Sequence, residues 1–425
     1  MTVTGSAQQI RTVDDIIDTR AVTTLFQPLV DLDRREPVGY EALSRGPAGT
    51  PWQAPMALFE AAREIGRAAE LDWICRVRAY QAALAAGLDD SMTLFVNIEP
   101  MALRTPCPDD LFPVTVAAQG RLRVVTEITE RAIGDDPSAL LSTAAACRAI
   151  GWGVAFDDVG SDPASLALMP LVRPDVVKLD MGLLHNPHRA EVAHVVNAAI
   201  AYAERTGAVI LAEGIETEEH LEMARTMGAT LGQGLLFGAP APLPSPPSVC
   251  SDGVPLLSPD GVGPVSVPPR TPFEIVAATR PVLQTTKARL APISRFLESK
   301  ARDEVEPPVL LACFQEARFF TPAVAQRFAE TAGTAAFVAV LGVGLDERPA
   351  TGVRGARLSE DDPLRGEWNV IVVGPYFSAA LTARDLGTGG SEPERRFEYA
   401  LTHDRELVLE AARALMHWIS PSEAA

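Results

Sequence analysis

Eight short apolar runs recur through the first 242 residues of this chain, and segments of helical period separate most of them. Strand-like runs that alternate with helices predict βα units and a mostly parallel sheet. Eight such strands are enough to close a barrel of roughly 250 residues. In chain order the runs are LFQPLVDL, VGYEALSR, MTLFVNIEP, RLRVVTEITE, GWGVAFDDVG, DVVKLDMGLL, GAVILAEGIE and TLGQGLLFG.

The first two runs have no helix between them, because only DRREP separates them. A connection this short predicts a hairpin, so one strand of the barrel should run antiparallel to its neighbours. The predicted fold class is therefore α/β: a modified (β/α)8 barrel of the TIM type with one antiparallel strand, and a smaller α/β or α+β domain after it.

The formal charge of −18 argues against binding to a nucleic-acid polymer, because such binding depends on Lys and Arg neutralising phosphates. The five cysteines form no CxxC pair, which suits a reducing compartment. The N-terminus lacks a signal peptide, and no run approaches the roughly 18 apolar residues of a membrane helix. We therefore expect a cytoplasmic protein without a membrane anchor.

Oxygen-bearing side chains gather near the C-terminal ends of the predicted strands. In a βα barrel those ends converge on one face, where the loops build the active site. Uncompensated carboxylates there would be costly to bury, and oxygen ligands without Cys or His favour Mg²⁺ or Mn²⁺ over zinc. The residues are Glu41, Asn97, Glu127, Asp157, Asp158, Asp180, Glu213 and Gln233, together with Lys178.

The adjacent aspartates of AFDDVG indicate two metal ions, because Asp157 can bridge two cations while Asp158 serves one of them. Two metal ions a few ångströms apart can activate a water molecule and neutralise the charge that develops when a phosphodiester is cleaved. The strand-end residues therefore predict a two-metal phosphodiesterase.

The motif YEALSR resembles the signature of the EAL family of cyclic-di-GMP phosphodiesterases, and VNIEP, EITE, DDVG, VKLD, AEGIE and QGLLFG follow it in the family's order. The resemblance covers roughly residues 15–242 and implies hydrolysis of cyclic-di-GMP to 5′-pGpG with two Mg²⁺ or Mn²⁺ ions, in a homodimer. It implies one ion at Glu41, Asn97, Glu127 and Asp157, and another at Asp157, Asp158 and Glu213.

The same resemblance implies roles for the remaining strand-end residues. Lys178 should place or activate the attacking water, and Glu213 is also a candidate general base. Gln233 should support the site. Gln27 and Arg45 resemble the family's phosphate contacts, and Asp180 is a further candidate substrate contact.

The loop after Asp158 departs from the family pattern, which has a phenylalanine next and a glycine where this chain has Asp162. Val159 offers less area than phenylalanine for a dimer contact, and Asp162 precedes Pro163, which favours extended backbone. We expect weaker metal affinity or slower turnover, with Glu130 and Ser161 supporting the loop. The alternative is a catalytically weak or inactive cyclic-di-GMP receptor that signals through protein contacts, although the complete ligand set favours the enzyme.

The composition predicts four segments: an N-terminal tail (1–14), the barrel (15–242), a Pro/Gly/Ser-rich linker (243–271) and a C-terminal domain (272–420). In the last, TPFEIVAATRPVLQTTKARLAPISRFLESKA is predicted to be helical. The motifs FTPAVAQRFAE, DPLRGEWNVIVVGPYFSAALTARDLG and FEYALTHDRELV resemble the DICT family of sensory domains. This implies that the C-terminal domain regulates the barrel, with an effector or protein partner that the sequence does not identify.

Overall fold

The structure, a computed structural model, describes residues 12–129, 134, 136–162, 164–244, 253–257, 270–304 and 306–419. By internal contacts the chain divides into two compact units: Met1–Ile128, Cys147–Ala155 and Val209–Leu256 form one, and Thr129–Ala146, Phe156–Ala208 and Leu257–Ala425 form the other. The predicted domain boundaries stay a prediction. Among the described residues, no helix has both the length and the apolar character needed to cross a membrane.

Eight strands form a closed barrel and neighbour one another in chain order, which confirms the predicted fold class. The strands are β1 (Thr23–Asp31), β2 (Pro37–Arg45), β3 (Thr93–Asn97), β4 (Arg123–Ile128), β5 (Gly153–Val159), β6 (Val176–Leu179), β7 (Val209–Ala212) and β8 (Leu231–Gly232). Strand β1 pairs antiparallel with both β2 and β8, whereas β2 with β3, β3 with β4 and β7 with β8 are parallel.

Helices connect the parallel strands, as the alternating sequence pattern predicts. Because helices cover such strands on one face and the barrel core covers the other, β4 and β6 are buried almost throughout. The helices are α1 (Val13–Thr19), α2 (Pro55–Glu64), α3 (Ala68–Ala86), α4 (Phe112–Gln119), α5 (Pro137–Ala149), α6 (Ser165–Val172), α7 (Met181–His185), α8 (Ala190–Thr206) and α9 (Glu218–Thr226).

The C-terminal domain contains a seven-stranded sheet and four helices among its described residues. The elements are α10 (Pro272–Ala277), β9 (Leu283–Thr286), α11 (Lys287–Asp303), β10 (Val309–Glu316), α12 (Pro322–Ala332), β11 (Phe337–Val343), β12 (Arg354–Leu358), β13 (Glu367–Val373), β14 (Ser378–Asp385), β15 (Arg396–Thr402) and α13 (Arg405–Met416). The strand order is β12-β11-β10-β13-β14-β15-β9. Strands β10, β11 and β12 are parallel, and the other neighbouring pairs are antiparallel.

The segment predicted to be one helix from Thr271 to Ala301 is instead two helices with strand β9 between them. Proline disfavours helical backbone in the residue before it, so Pro281 interrupts the helical pattern. The edge of β15 then supplies hydrogen-bonding partners, and Leu283 pairs with Tyr399 in the sheet. The conformation of this segment therefore depends on pairing with the distant strand β15, which the local sequence does not reveal.

Part of the predicted linker packs against the barrel. The Arg123 guanidinium donates hydrogen bonds to the backbone carbonyl of Val254, whose own N–H donates to Thr93 Oγ1 at 3.0 Å. Arg123 and Thr93 are the first residues of β4 and β3. Val254 is buried, so the chain crosses the N-terminal ends of these strands after leaving the barrel.

Candidate active site

A hydrogen-bonded network joins two carboxylates through one amide group. Asn97 Nδ2, at the end of β3, donates to Glu41 Oε1 at 3.2 Å and to Glu127 Oε2 at 2.8 Å. The register explains the second contact, because Asn97 and Glu127 are direct partners on β3 and β4. Glu41 and Glu127 are 7% and 1% exposed. Two nearly buried carboxylates therefore meet at the neutral amide of Asn97.

Gln233 extends this network to the antiparallel strand. Its Nε2 donates to Glu41 Oε2 at 2.6 Å and to Gln27 Oε1 at 3.0 Å, and Gln27 lies opposite Glu41 in the β1–β2 register. Gln233 follows β8, so the closed barrel brings residues from its first and last strands to Glu41. The sequence pattern predicts Glu41 near the C-terminal end of its strand, but it lies buried in the middle of β2.

Lys178 and Asp157 form a buried ion pair at the second group of predicted site residues. Lys178 lies in β6 and is 1% exposed, and its Nζ is 2.8 Å from Asp157 Oδ1 in β5. Gln233 Oε1 is buried without a hydrogen-bond donor among the described residues. A buried oxygen atom without a donor is suited to bind a cation.

Three carboxylates are close enough together to hold a metal ion. Asp157, Asp158 and Glu213 each offer one oxygen, and these oxygens lie within 4.8 Å of one another. Glu213 directly follows β7 and is half-buried. The donor set contains carboxylate oxygens only, as magnesium and manganese prefer.

The loop after Asp158 is organised by hydrogen bonds that include Ser165, a residue that we did not predict. Asp158 has a left-handed backbone, with φ at 56°, and the Ser161 N–H donates to its carbonyl oxygen at 3.0 Å. Asp162 Oδ1 accepts the Ala164 N–H at 2.8 Å, and the buried Ser165 hydroxyl donates to the Asp162 carbonyl oxygen. The spacing Asp162-Pro-Ala-Ser165, typical of a turn that starts a helix, is the sequence signal that points to Ser165.

Three further predictions about this loop have different outcomes. Val159 is 0% exposed, and the contribution of this loop to a dimer contact stays a prediction. Ser161 is exposed, and its role as a support stays a prediction. Glu130 and Pro163 lie outside the described residues.

The candidate substrate contacts have local partners. Gln27 Nε2 donates to the Gly238 carbonyl oxygen, and Arg45 Nη1 donates to the carbonyl oxygen of Ser44. Asp180 caps α7 by accepting the Gly182 N–H at 2.8 Å. Only Gln27 is joined by a hydrogen bond to the network around Glu41.

A buried ion pair on α3 positions the segment that follows Asn97. Asp72 Oδ2 accepts a hydrogen bond from Arg76 Nε at 2.7 Å, and Asp72 Oδ1 accepts the Glu99 N–H at 2.9 Å. Burial raises the pKa of Asp72, against the opposing effect of Arg76. We did not single out Asp72, although an Asp and an Arg four residues apart in the apolar segment ELDWICR would have indicated a buried pair.

Comparison with known proteins identifies both halves of the chain. The EAL domain profile matches residues 10–240, and the profile of DICT, a sensory domain in diguanylate cyclases and two-component systems, matches residues 274–386. An uncharacterised signalling protein of Caulobacter vibrioides is 31% identical over 223 residues, which are 51% of this chain and 27% of that protein.

Two further proteins are similar over the first half of the chain. The probable cyclic di-GMP phosphodiesterase PdeB of Escherichia coli is 26% identical over 235 residues, covering 54% of this chain and 45% of that protein. A manganese and cyclic-di-GMP complex of BlrP1 from Klebsiella pneumoniae is 26% identical with a TM-score of 0.46, covering 52% of this chain and 56% of that one. The chain spans roughly a third or less of the length of the curated relatives it first matches.

Proposed function

Because the chain belongs to the EAL-domain family through residues 10–240, we propose that it is a metal-dependent phosphodiesterase that hydrolyses cyclic-di-GMP to 5′-pGpG. The observation that carries this proposal is the network in which Glu41 and Glu127, both nearly buried, share the amide of Asn97. Two carboxylates so placed repel each other unless a cation lies between them. The similarity to a probable cyclic di-GMP phosphodiesterase of Escherichia coli supports the choice of substrate.

The residues present fit two hard divalent cations, Mg²⁺ or Mn²⁺. Every proposed ligand is a carboxylate or amide oxygen, and oxygens of Asp157, Asp158 and Glu213 lie within 4.8 Å of one another. Bound metal ions would supply activation of a water molecule and neutralisation of phosphate charge. One ion would be held by Glu41, Asn97, Glu127 and Asp157, and the other by Asp157, Asp158 and Glu213.

The reaction adds water across one phosphodiester bond. The water oxygen forms a bond to phosphorus, the bond from phosphorus to the 3′ oxygen breaks, and the 3′ oxygen takes up a proton. Lys178 is an ammonium donor fixed by Asp157, so it orients the attacking water. Glu213 accepts the water proton as general base. Gln233 orients Glu41 by donating to its Oε2.

Substrate binding is proposed at three residues. The Arg45 guanidinium suits a phosphate oxygen, because Arg binds phosphate through paired N–H donors. Gln27 lies beside Glu41 and is connected to it through Gln233. Gln27 can therefore contact a substrate phosphate next to the proposed metal ligands. Asp180 offers an acceptor for an N–H group of the substrate.

The C-terminal domain contacts the helix that follows the metal-binding aspartates, and this supports a regulatory role. In α13, Arg413 Nε donates to the Leu171 carbonyl oxygen and Nη2 to that of Pro170, each at 2.8 Å. Both carbonyl groups belong to the end of α6, whose beginning at Ser165 anchors the loop after Asp158. A shift of α13 would therefore be transmitted along α6 to the loop. The effector or protein partner is proposed to act through this contact.

The enzyme proposal is tested by replacing Asp157 with asparagine. This change removes the charge from a proposed bridging ligand, so formation of 5′-pGpG should fall at least about a hundredfold. Asp109→Asn is the matched control, because Asp109 is exposed and belongs to none of the predicted motifs. An Asp157→Asn protein with the turnover of the control would contradict the proposed site.

The regulatory proposal is tested with two arginines of α13. Arg413→Ala removes the contact with α6, whereas Arg405→Ala removes hydrogen bonds to Gly374 and Ser378 inside the C-terminal domain. We expect Arg413→Ala to change the phosphodiesterase rate and Arg405→Ala to lower the melting temperature without that change. Equal effects of both variants on the rate would contradict a specific role for the α6 contact.

A second candidate is a cyclic-di-GMP receptor with little or no activity, and the loop after Asp158 is the observation that favours it. This loop departs from the family pattern, and a left-handed backbone at Asp158 costs energy that bound metal would have to offset. Binding of cyclic-di-GMP without formation of 5′-pGpG would identify the receptor. We also propose a homodimer, as the resemblance implies, and the mass in solution tests it.

A further inference from the structure

The C-terminal domain contains a cavity of about 260 Å³ between α11, α12 and one face of the sheet. Its volume lies just below the usual range of small-molecule sites, which is roughly 300–1,000 Å³. A cavity of this size suits a ligand much smaller than a dinucleotide. All its lining residues belong to the C-terminal domain, so it is separate from the residues proposed for phosphodiester hydrolysis.

Aromatic rings form much of the wall of this cavity. Trp368 and Phe397 meet edge to face, with ring centroids 5.7 Å apart, and Phe314 and Phe319 also line the space. Phe319 is held in place by a cation, because Lys287 Nζ lies 4.1 Å from its ring centroid while pairing with Glu392. Fixed flat rings favour a planar ring in the ligand, since aromatic pairs gain energy beyond the area they bury.

The polar groups facing the cavity are mostly hydrogen-bond donors. Gln315 Oε1 accepts a hydrogen bond from Arg395 Nη2 at 3.0 Å, which fixes the amide so that Nε2 is the group left to donate. Within the part of the chain that the structure describes, neither Gln315 Nε2 nor Trp368 Nε1 has an acceptor, and Arg295 forms no ion pair.

The carboxylate in the wall is already satisfied. Glu298 is 7% exposed, and its two oxygens accept hydrogen bonds from Ser294 Oγ and from the Arg327 guanidinium, each at 2.9 Å. With Glu298 paired to Arg327 and Lys287 paired to Glu392, the charge left uncompensated at the cavity is that of Arg295. The cavity is therefore complementary to a single negative charge with acceptor oxygens.

Backbone strain at Gln315 supports a ligand site. Gln315 has φ at 63°, and the pairing of β10 with β11 is irregular between Cys313 and Glu316. A side-chain-bearing residue in this conformation costs on the order of 1–3 kcal/mol, and such strain concentrates at binding sites. The irregularity carries the side chain of Gln315 to the cavity wall.

We propose that this cavity binds a small aromatic carboxylic acid. The ligand's ring lies against Trp368, Phe319 and Phe397, and its carboxylate accepts hydrogen bonds from Arg295 at the exposed side. Gln315 Nε2 and Trp368 Nε1 donate to its remaining acceptor oxygens. Binding of this ligand class to the C-terminal domain does not require the barrel to be an active phosphodiesterase. It can therefore be measured independently of catalysis.

Isothermal titration of the full chain with benzoate and with indole-3-carboxylate tests the ligand class. We expect saturable binding of at least one of these probes. Cyclohexanecarboxylate, which lacks the aromatic ring, and benzamide, which lacks the charge, should each bind at least about tenfold more weakly. The proposal would be overturned if neither probe showed saturable binding. It would also be overturned if cyclohexanecarboxylate or benzamide bound as tightly as the probes.

Three variants of α11 test the location of the site. Arg295→Ala should weaken binding about tenfold, as expected when one charge-assisted contact is lost. Ala291→Leu puts a larger side chain into the cavity and should abolish binding without lowering the melting temperature. Arg289→Ala is the control, because Arg289 is exposed on the same helix and does not line the cavity. Wild-type affinity in both Arg295→Ala and Ala291→Leu would place the ligand elsewhere and overturn the assignment.

Discussion

Replacing Gln233 with leucine should weaken metal binding more than it slows the reaction at saturating metal. Gln233 Nε2 lies 2.6 Å from Glu41 Oε2, a proposed metal ligand, and 3.0 Å from Gln27 Oε1. Leucine occupies a similar volume without a donor. Gln233 Oε1 has no hydrogen-bond donor among the described residues, so the change sacrifices no hydrogen bond on that side.

The size of the effect follows from the bond that is lost. A hydrogen bond to a charged group contributes about 1.5–3 kcal/mol, which corresponds to roughly tenfold to 150-fold in an equilibrium constant. Loss of a group that orients a metal ligand typically costs about 10–100-fold in metal affinity, in agreement with that range. We therefore expect the metal concentration for half-maximal rate to rise by about one to two orders of magnitude.

The assay is the rate of 5′-pGpG formation over a titration with Mn²⁺ at saturating cyclic-di-GMP. Gln27→Leu is the comparison variant, because it removes the other acceptor of Gln233 but leaves the bond to Glu41. It should raise the substrate concentration needed and move the metal dependence less. A Gln233→Leu protein with lowered kcat and an unchanged metal dependence would refute this role.

Three further predictions concern single side chains. Glu41→Ala should lower hydrolysis at least about a hundredfold while the protein stays folded by circular dichroism, because it removes a ligand and also relieves repulsion with a second buried carboxylate; wild-type turnover would exclude the site. Burial raises the pKa of Cys75 and Cys313 to about 12, so both thiols should resist Ellman's reagent at pH 8 until the protein unfolds, whereas half-buried Cys107 should react first. Val159→Phe should destabilise the protein by about 1–3 kcal/mol in thermal denaturation, because Val159 is fully buried, and an unchanged melting temperature would mean that the loop repacks.

The barrel could be predicted because its sequence signals are local. Each strand is a short apolar run, and the missing helix between the first two runs indicated the antiparallel β1. The motifs that contain Asn97 and Glu127 also put candidate ligands near strand ends, and the register then made these two residues neighbours. The burial of Glu41 was harder to anticipate, because it depends on residues that are distant in the sequence. Gln233, for example, is 192 positions away and donates a hydrogen bond to Glu41.

Two features could not be read from local patterns. Strand β9 exists because it pairs with β15, more than a hundred residues later, and its own sequence continued a helical pattern. The loop after Asp158 is held by the hydroxyl of Ser165, which belongs to the next helix. In both cases a tertiary partner decided the conformation, whereas propensity and spacing describe only neighbours along the chain.

Mass spectrometry of the products formed in heavy-oxygen water tests the central claim most directly. The full chain is incubated with cyclic-di-GMP and Mn²⁺, and a parallel sample contains excess chelator. We predict 5′-pGpG that carries one heavy oxygen atom on its terminal phosphate in the sample with metal, and unchanged cyclic-di-GMP in the sample with chelator. Quantitative recovery of cyclic-di-GMP from both samples would contradict the proposed phosphodiesterase.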